Sequence, residues 1–112
     1  MKMEDTYEQP FPEEDLSDED YIGIKELVTM KKTIEIVKTK EFENLKGPGV
    51  YILFRFKGEK DLHNTTTHSI NIITILAKDK VVDALADGDT LECNVVERPS
   101  KKDASKTVIT LA

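Results

Sequence analysis

His63, His68, Cys93 and 22 carboxylates are the side chains of this 112-residue chain whose types could support catalysis or hold a metal. Zinc needs three or four ligands converging at about 2.0–2.3 Å. The two histidines stand five residues apart in a polar stretch, and the single cysteine sits in an alternating run, Leu91-Glu92-Cys93-Asn94-Val95. That alternation assigns Cys93 to packing. A nucleophilic thiol needs an exposed, electropositive setting with a base beside it. No serine occupies a nucleophile-elbow pattern, and Gly47-Pro48-Gly49 lacks the strand–glycine–helix context of a phosphate cradle. The expectation is a protein that is not an enzyme and has neither cofactor nor metal.

Binding chemistry is better represented. Single-stranded nucleic acid is held by a positive groove along its backbone and by aromatic faces on which bases stack. Tyr51, Arg55 and Lys57 share one face of an alternating stretch, and Lys46 stands in the turn before it. The stretch Arg98 to Lys106 carries Arg98, Lys101, Lys102 and Lys106 against one acid. These eight residues are the candidate nucleic-acid contacts.

The elements that must position them follow from hydrophobic periodicity. Thr33 to Lys38, running on toward Phe42, alternates with Ile34 and Ile36 on one face. After a Gly-Pro-Gly turn, Val50 to Lys57 places Val50, Ile52, Phe54 and Phe56 on the face opposite Tyr51 and Arg55. Gly58 to His68 reads as a long polar hairpin loop that adds Lys60, His63 and His68. The almost wholly apolar Ser69 to Leu76 reads as a third strand buried on both faces. Val81, Val82, Leu85 and Ala86 recur at helical spacing before Gly88, a short helix. Thr90 to Glu97 and Lys106 to Leu111 alternate again. Residues 22–30 fit a helix capped from Ser17-Asp18-Glu19-Asp20 or a first strand, and both remain open. Three strands, a helix and two strands predict an all-β fold with one short helix: a five-stranded OB-fold-like Greek-key barrel. On such a barrel the second and third strands and the loops after the first and fourth form the binding face.

Composition sharpens the partner. The formal charge is −6, with 38% hydrophobic and 34% charged residues. Met1 to Ile22 holds nine acids against one base, a balance of −8, leaving thirteen acids against fifteen bases, or +2, in the remainder. The acidity therefore belongs to a tail, and the barrel itself is open to a phosphate partner. High charge with Pro10 and Pro12 marks residues 1–20 as a disordered acidic tail ahead of a folded domain at 21–112. Within it, Phe11 and Leu16 are apolar anchors among carboxylates, suited to a basic, apolar pocket on a protein partner. The tail could instead fold over the basic face and compete with nucleic acid, or simply solvate. A lone cysteine, no apolar run of membrane-spanning length and no signal-like first twenty residues lead to the expectation of a soluble cytoplasmic protein without a membrane partner.

The stretch Ala77 to Val95 resembles single-stranded DNA-binding proteins of the bacterial and phage type. In them an apolar third strand leads through a short helix and a Gly-Asp turn, here Gly88-Asp89, into a strand opening with a β-branched residue, here Thr90. A charged hairpin and a closing strand follow, as in Arg98 to Leu111. The pattern covers about Thr33 to Ala112. It implies sequence-tolerant binding of single-stranded DNA in replication, recombination or repair, without enzyme activity. Two features depart from it. The family's tryptophan platforms are absent, leaving Tyr51, with Phe54 or Phe56, to stack, and the acidic segment is N-terminal rather than C-terminal. The competing expectation is a protein-interaction or assembly module on the same barrel, with no nucleic acid. Self-association is compatible with either.

Overall fold

The computed structural model describes Phe11, Glu14 and residues 16–112. The protein is mostly β: α1 (Ile24–Met30), β1 (Thr33–Asn44), β2 (Gly47–Phe56), β3 (His63–Thr67), α2 (Ile70–Leu76), α3 (Asp79–Ala86), β4 (Leu91–Pro99) and β5 (Thr107–Leu111). The strands form one antiparallel sheet in the order β3-β2-β1-β4-β5. Bringing β4 beside β1 after three consecutive strands is the Greek-key arrangement.

The sheet curls because β1 serves two neighbours over only part of its length. Thr33–Ile36 pair with β4 through Leu91–Asn94 while also pairing with the end of β2. Beyond Ile36, β1 continues with β2 as a long hairpin, and β4 beyond Asn94 pairs with β5 instead. At this parting the β1–β2 register slips: Ile36 opposes Phe54, and Lys38 opposes Leu53. Val37 is the extra residue of a β-bulge, which bends and twists the strand.

The core lies inside the curl. Ile34 and Ile36 of β1, Ile52, Phe54 and Phe56 of β2, and Cys93 and Val95 of β4 pack with Leu27, Ile72, Leu76 and Val81 from the three helices. Ile36, Phe54 and Ile72 are wholly excluded from solvent, each contributing roughly 1.5–3 kcal/mol of transfer free energy.

Two predicted elements change identity. Ser69–Leu76 is not a strand but leads into a helix, so the fold has three short helices where one was expected. An apolar run of this length does not distinguish a buried strand from a buried helix. Here Ser69 decides: its Oγ accepts from the Ile72 amide and donates to the Ile109 carbonyl of β5, capping α2 and tying it to the sheet. Ile72 and Leu76 then fall four apart on the core face, while Asn71 and Thr74 stay exposed. The third strand is instead the polar His63–Thr67, inside the segment expected to be a loop. Its threonines are β-branched and suit a pleated surface, and Thr65 and Thr67 are buried. α2, placed against β5, fills the side of the sheet where β3 and β5 do not pair.

The open alternative for residues 22–30 resolves as helix α1, with Leu27 in the core. Of the expected disordered segment, residues 1–10, 12, 13 and 15 lie outside the described residues. Asp18–Asp20 form a 3₁₀ turn in which the Ser17 amide donates to the Asp20 carboxylate at 2.8 Å. The other expected strands and the helix before Gly88 are present, β1 and β2 being longer than expected.

Candidate nucleic-acid interface

The bulge at Val37 decides what the outer face of the sheet carries. In an unbroken strand Lys38, Lys40 and Phe42 would share the core face of Ile34 and Ile36, since side chains alternate with period two. One inserted residue reverses the alternation. Beyond Val37 it is Thr39 and Glu41 that oppose the core-side Ile52 and Val50, while Lys38, Lys40 and Phe42 oppose Leu53, Tyr51 and Gly49 on the outside. With β3 added, the outer face is a set of cross-strand rows: Lys38–Leu53–Asn64, Lys40–Tyr51–Thr66, and Phe42–Gly49 with His68 beside it.

The last two rows form an aromatic cluster. The Phe42 and Tyr51 rings lie 4.4 Å apart at 36°, and His68 meets Phe42 edge-on at 5.3 Å. His68 Nδ1 is 3.0 Å from the Pro48 carbonyl, which holds the ring in place. Gly49 makes the arrangement possible: a Cβ there would come within 2.4 Å of the Phe42 ring. All three rings are part-exposed, and the exposed Lys40 and Lys46 flank them. Lys46 sits at the hairpin tip, its amide bonded to Asn44 Oδ1, with Gly47 at φ 102° completing the turn.

The second cationic site is the β4–β5 end. Arg98, Lys101 and Lys102 line a groove of about 480 Å³ with Asn71, Ser100 and Thr110. The loop is held by its own backbone: the Ser100 amide donates to the Lys106 carbonyl, and the Lys106 amide to Asp103. Asp103 accepts from both the amide and the hydroxyl of Ser105, which lowers its pKa. Lys106 closes the loop with its side chain exposed. His68 belongs to the aromatic cluster and Asn71 to the groove, and three residues of chain span at most roughly 11 Å. The two sites are therefore neighbours, joined by the α2 N-terminus.

The expected contacts divide accordingly. Lys46 and Tyr51 fall in the aromatic region, and Arg98, Lys101 and Lys102 in the groove. Arg55 and Lys57 do not present free cations. Arg55 Nε donates to Glu35 at 3.0 Å, and Lys57 Nζ to Glu92 at 2.7 Å. The bond to Glu92 and its charge raise the Lys57 pKa. Phe54 and Phe56, the reserve stacking rings, are core. Phe42, Lys40, Asn71 and the edge-on contact of His68 with Phe42 escaped sequence reasoning, because the bulge that turns Phe42 outward has no signature in residue type.

The residues considered for catalysis disperse. His63 packs against Phe54 and Phe56 at 5.7 and 5.2 Å, whereas His68 meets Phe42 on the opposite face, so the two cannot share a ligand. Cys93 is buried, its thiol pushed up to about 11 by desolvation and by the nearby Glu92 charge. Among the described residues no three His, Cys, Asp or Glu side chains converge as a metal site, and no helix is long and apolar enough to cross a membrane.

Of the two apolar anchors expected for a protein partner, Phe11 lies against the protein itself. Phe11 is 3% exposed and lines a groove of about 380 Å³ with Lys38, Thr39 and Lys40 of β1 and Val82 and Leu85 of α3. Leu16 is half-buried. Comparison with protein-family models, curated proteins and solved structures finds no match for this chain.

Proposed function

We propose that this protein is a non-enzymatic OB-fold domain that binds single-stranded DNA with little sequence preference. The observation that carries the reading is the Phe42–Tyr51–His68 cluster, flanked by Lys40 and Lys46 and adjoining the Arg98–Lys101–Lys102 groove. Part-exposed rings offer bases a stacking surface, and the two cationic sites lie where the flanking phosphates of a strand crossing the sheet would run. The Greek-key order with β3 and β5 unpaired supports a partly open barrel, and the cluster occupies the β2 face with the hairpin loops at its margins. Stacking and phosphate contact are both indifferent to base identity, hence the low sequence preference. The test is a fluorescence anisotropy titration of labelled oligothymidine, oligodeoxyadenosine and a duplex, at low and moderate salt. Both single strands are expected to bind better than the duplex, with log affinity falling linearly in log salt as counterions are released. No single-strand binding at low salt would overturn the proposal.

A further inference from the structure

The outer face holds a buried leucine that the core does not explain. Leu53 alternates with Ile52 and Phe54, points away from the core and belongs to no part of the core cluster, yet it is 0% exposed. Its two cross-strand partners show what lies over it. Lys38, on one side, meets Glu14 at 3.9 Å. Asn64, on the other, accepts the Ile22 amide through its carbonyl at 3.0 Å, and Tyr21 forms a parallel bridge with it. One row further along, the Tyr21 hydroxyl lies 3.0 Å from Thr66 Oγ1, and Thr66 is the partner of Tyr51. The segment starts with Phe11 buried between β1 and α3. It thus enters at β1, passes the Lys38–Leu53–Asn64 row and leaves along the edge of β3.

We infer that the described part of the acidic N-terminal segment, Phe11, Glu14 and residues 16–22, is a displaceable strap that competes with nucleic acid for this face. The inference rests on the proposed function. Glu14 supplies a carboxylate to Lys38, the kind of charge that a phosphate backbone would bring to the sheet, and by sequence the first 22 residues carry nine acids against one base. Among the described residues its hold includes the buried Phe11 ring, the Glu14–Lys38 ion pair, the Tyr21 hydroxyl contact and a short backbone pairing at Tyr21 and Ile22. Among the described residues its sheet pairing is the isolated Tyr21–Asn64 bridge. A nucleic-acid strand reaching from the Phe42–Tyr51 rings across β2 and β3 needs the rows that the strap covers. Apparent affinity is then the intrinsic affinity reduced by the fraction of molecules with the strap released.

The full chain tests this, because it contains no tryptophan and Phe11→Trp therefore places a single reporter on the strap. Its emission is expected to be blue-shifted in the free protein and to shift red as labelled oligothymidine binds, with the same midpoint as the anisotropy change. Phe11→Ala, which loosens the strap, is expected to bind roughly fivefold or more tightly at low salt, with the advantage shrinking as salt screens the strap's charge. Tyr21→Phe removes only the hydroxyl contact and is expected to tighten binding by less. Emission that stays blue-shifted at saturation, or that is red-shifted from the start, overturns the strap. So does equal affinity in wild type, Phe11→Ala and Tyr21→Phe, an outcome that leaves the proposed function standing. If no protein of the set binds at low salt, the proposed function fails and the inference with it. Should Phe11→Ala lose its cooperative melt, Phe11→Trp and Tyr21→Phe decide the matter.

Discussion

Gly49→Ala is the sharpest perturbation of the aromatic cluster. The added methyl would meet Phe42 Cζ at 2.4 Å and two further ring carbons at 2.8 and 2.9 Å, distances that no relaxed structure tolerates. The backbone at Gly49 is paired with Phe42 across the β1–β2 ladder and has little freedom to retreat, so the ring must swing away. Folding survives, because Phe42 is only part-buried and lies outside the core cluster. What is lost is the contact with Tyr51 at 4.4 Å and with His68 at 5.3 Å, an aromatic pairing of about 1 kcal/mol. If bases stack on the ring, affinity for single strands falls by a further effect of about 1–3 kcal/mol, roughly 5- to 150-fold. Urea denaturation followed by far-UV circular dichroism measures the first quantity, and anisotropy with labelled oligothymidine the second. Ring-current shifts of the Tyr51 protons report whether Phe42 has moved. A displaced ring with unchanged affinity would refute the assignment of stacking to Phe42.

Four other outcomes follow from the same structure. Lys101→Gln combined with Lys102→Gln should weaken binding uniformly across base compositions and reduce the log–log salt slope by about 1.4, two phosphates at about 0.7 each for a single strand. Lys57→Gln should leave affinity within about twofold in the same titration, because that side chain is spent on Glu92 at the surface. Deleting Val37 should leave a cooperative thermal melt: without the extra residue, plain alternation after Ile36 still places Lys38, Lys40 and Phe42 on the outer face, and what is lost is the local bend of the bulge. The Cys93 thiol, raised from 9.0 to about 11, favours the protonated folded state. Its contribution to stability is complete below pH 9 and lost as pH rises toward 11, because the unfolded chain sheds the proton first. Denaturation at pH 8 and pH 10 should show that loss in wild type and a smaller one in Cys93→Ala. Alkylation of the native thiol should be slow at pH 8.

Legibility followed the range of the interaction that decides each feature. The Val50–Phe56 alternation, the helix before Gly88 and the closing strands could be read because neighbours in sequence set them. The same reading misplaced α2 and β3, where local signals are ambiguous and the outcome depends on partners far along the chain. Ser69 becomes a cap when its hydroxyl reaches Ile109, forty residues away, and His63–Thr67 becomes a strand when β2 offers it a ladder. The basic loop at Arg98 to Lys106 was visible as composition. That Arg55 and Lys57 are ion-paired was not, because Glu35 and Glu92 reach them only through strand register.

By itself the sequence determined the split between an acidic leading segment and a slightly basic β domain, the burial of Cys93 and the location of the cationic hairpin loop. Each is a matter of composition or short-range periodicity. Only the tertiary structure decided which face the rings occupy and what lies over them. One extra residue at Val37 inverts the alternation of β1 and puts Phe42 beside Tyr51, where the absent Cβ of Gly49 leaves room for it. Leu53 likewise is buried outside the core cluster, in a row whose two ends meet Glu14 and Ile22, more than thirty residues earlier in the chain. A strand pattern states that two faces exist, but cross-strand register and long-range packing assign each face its occupants.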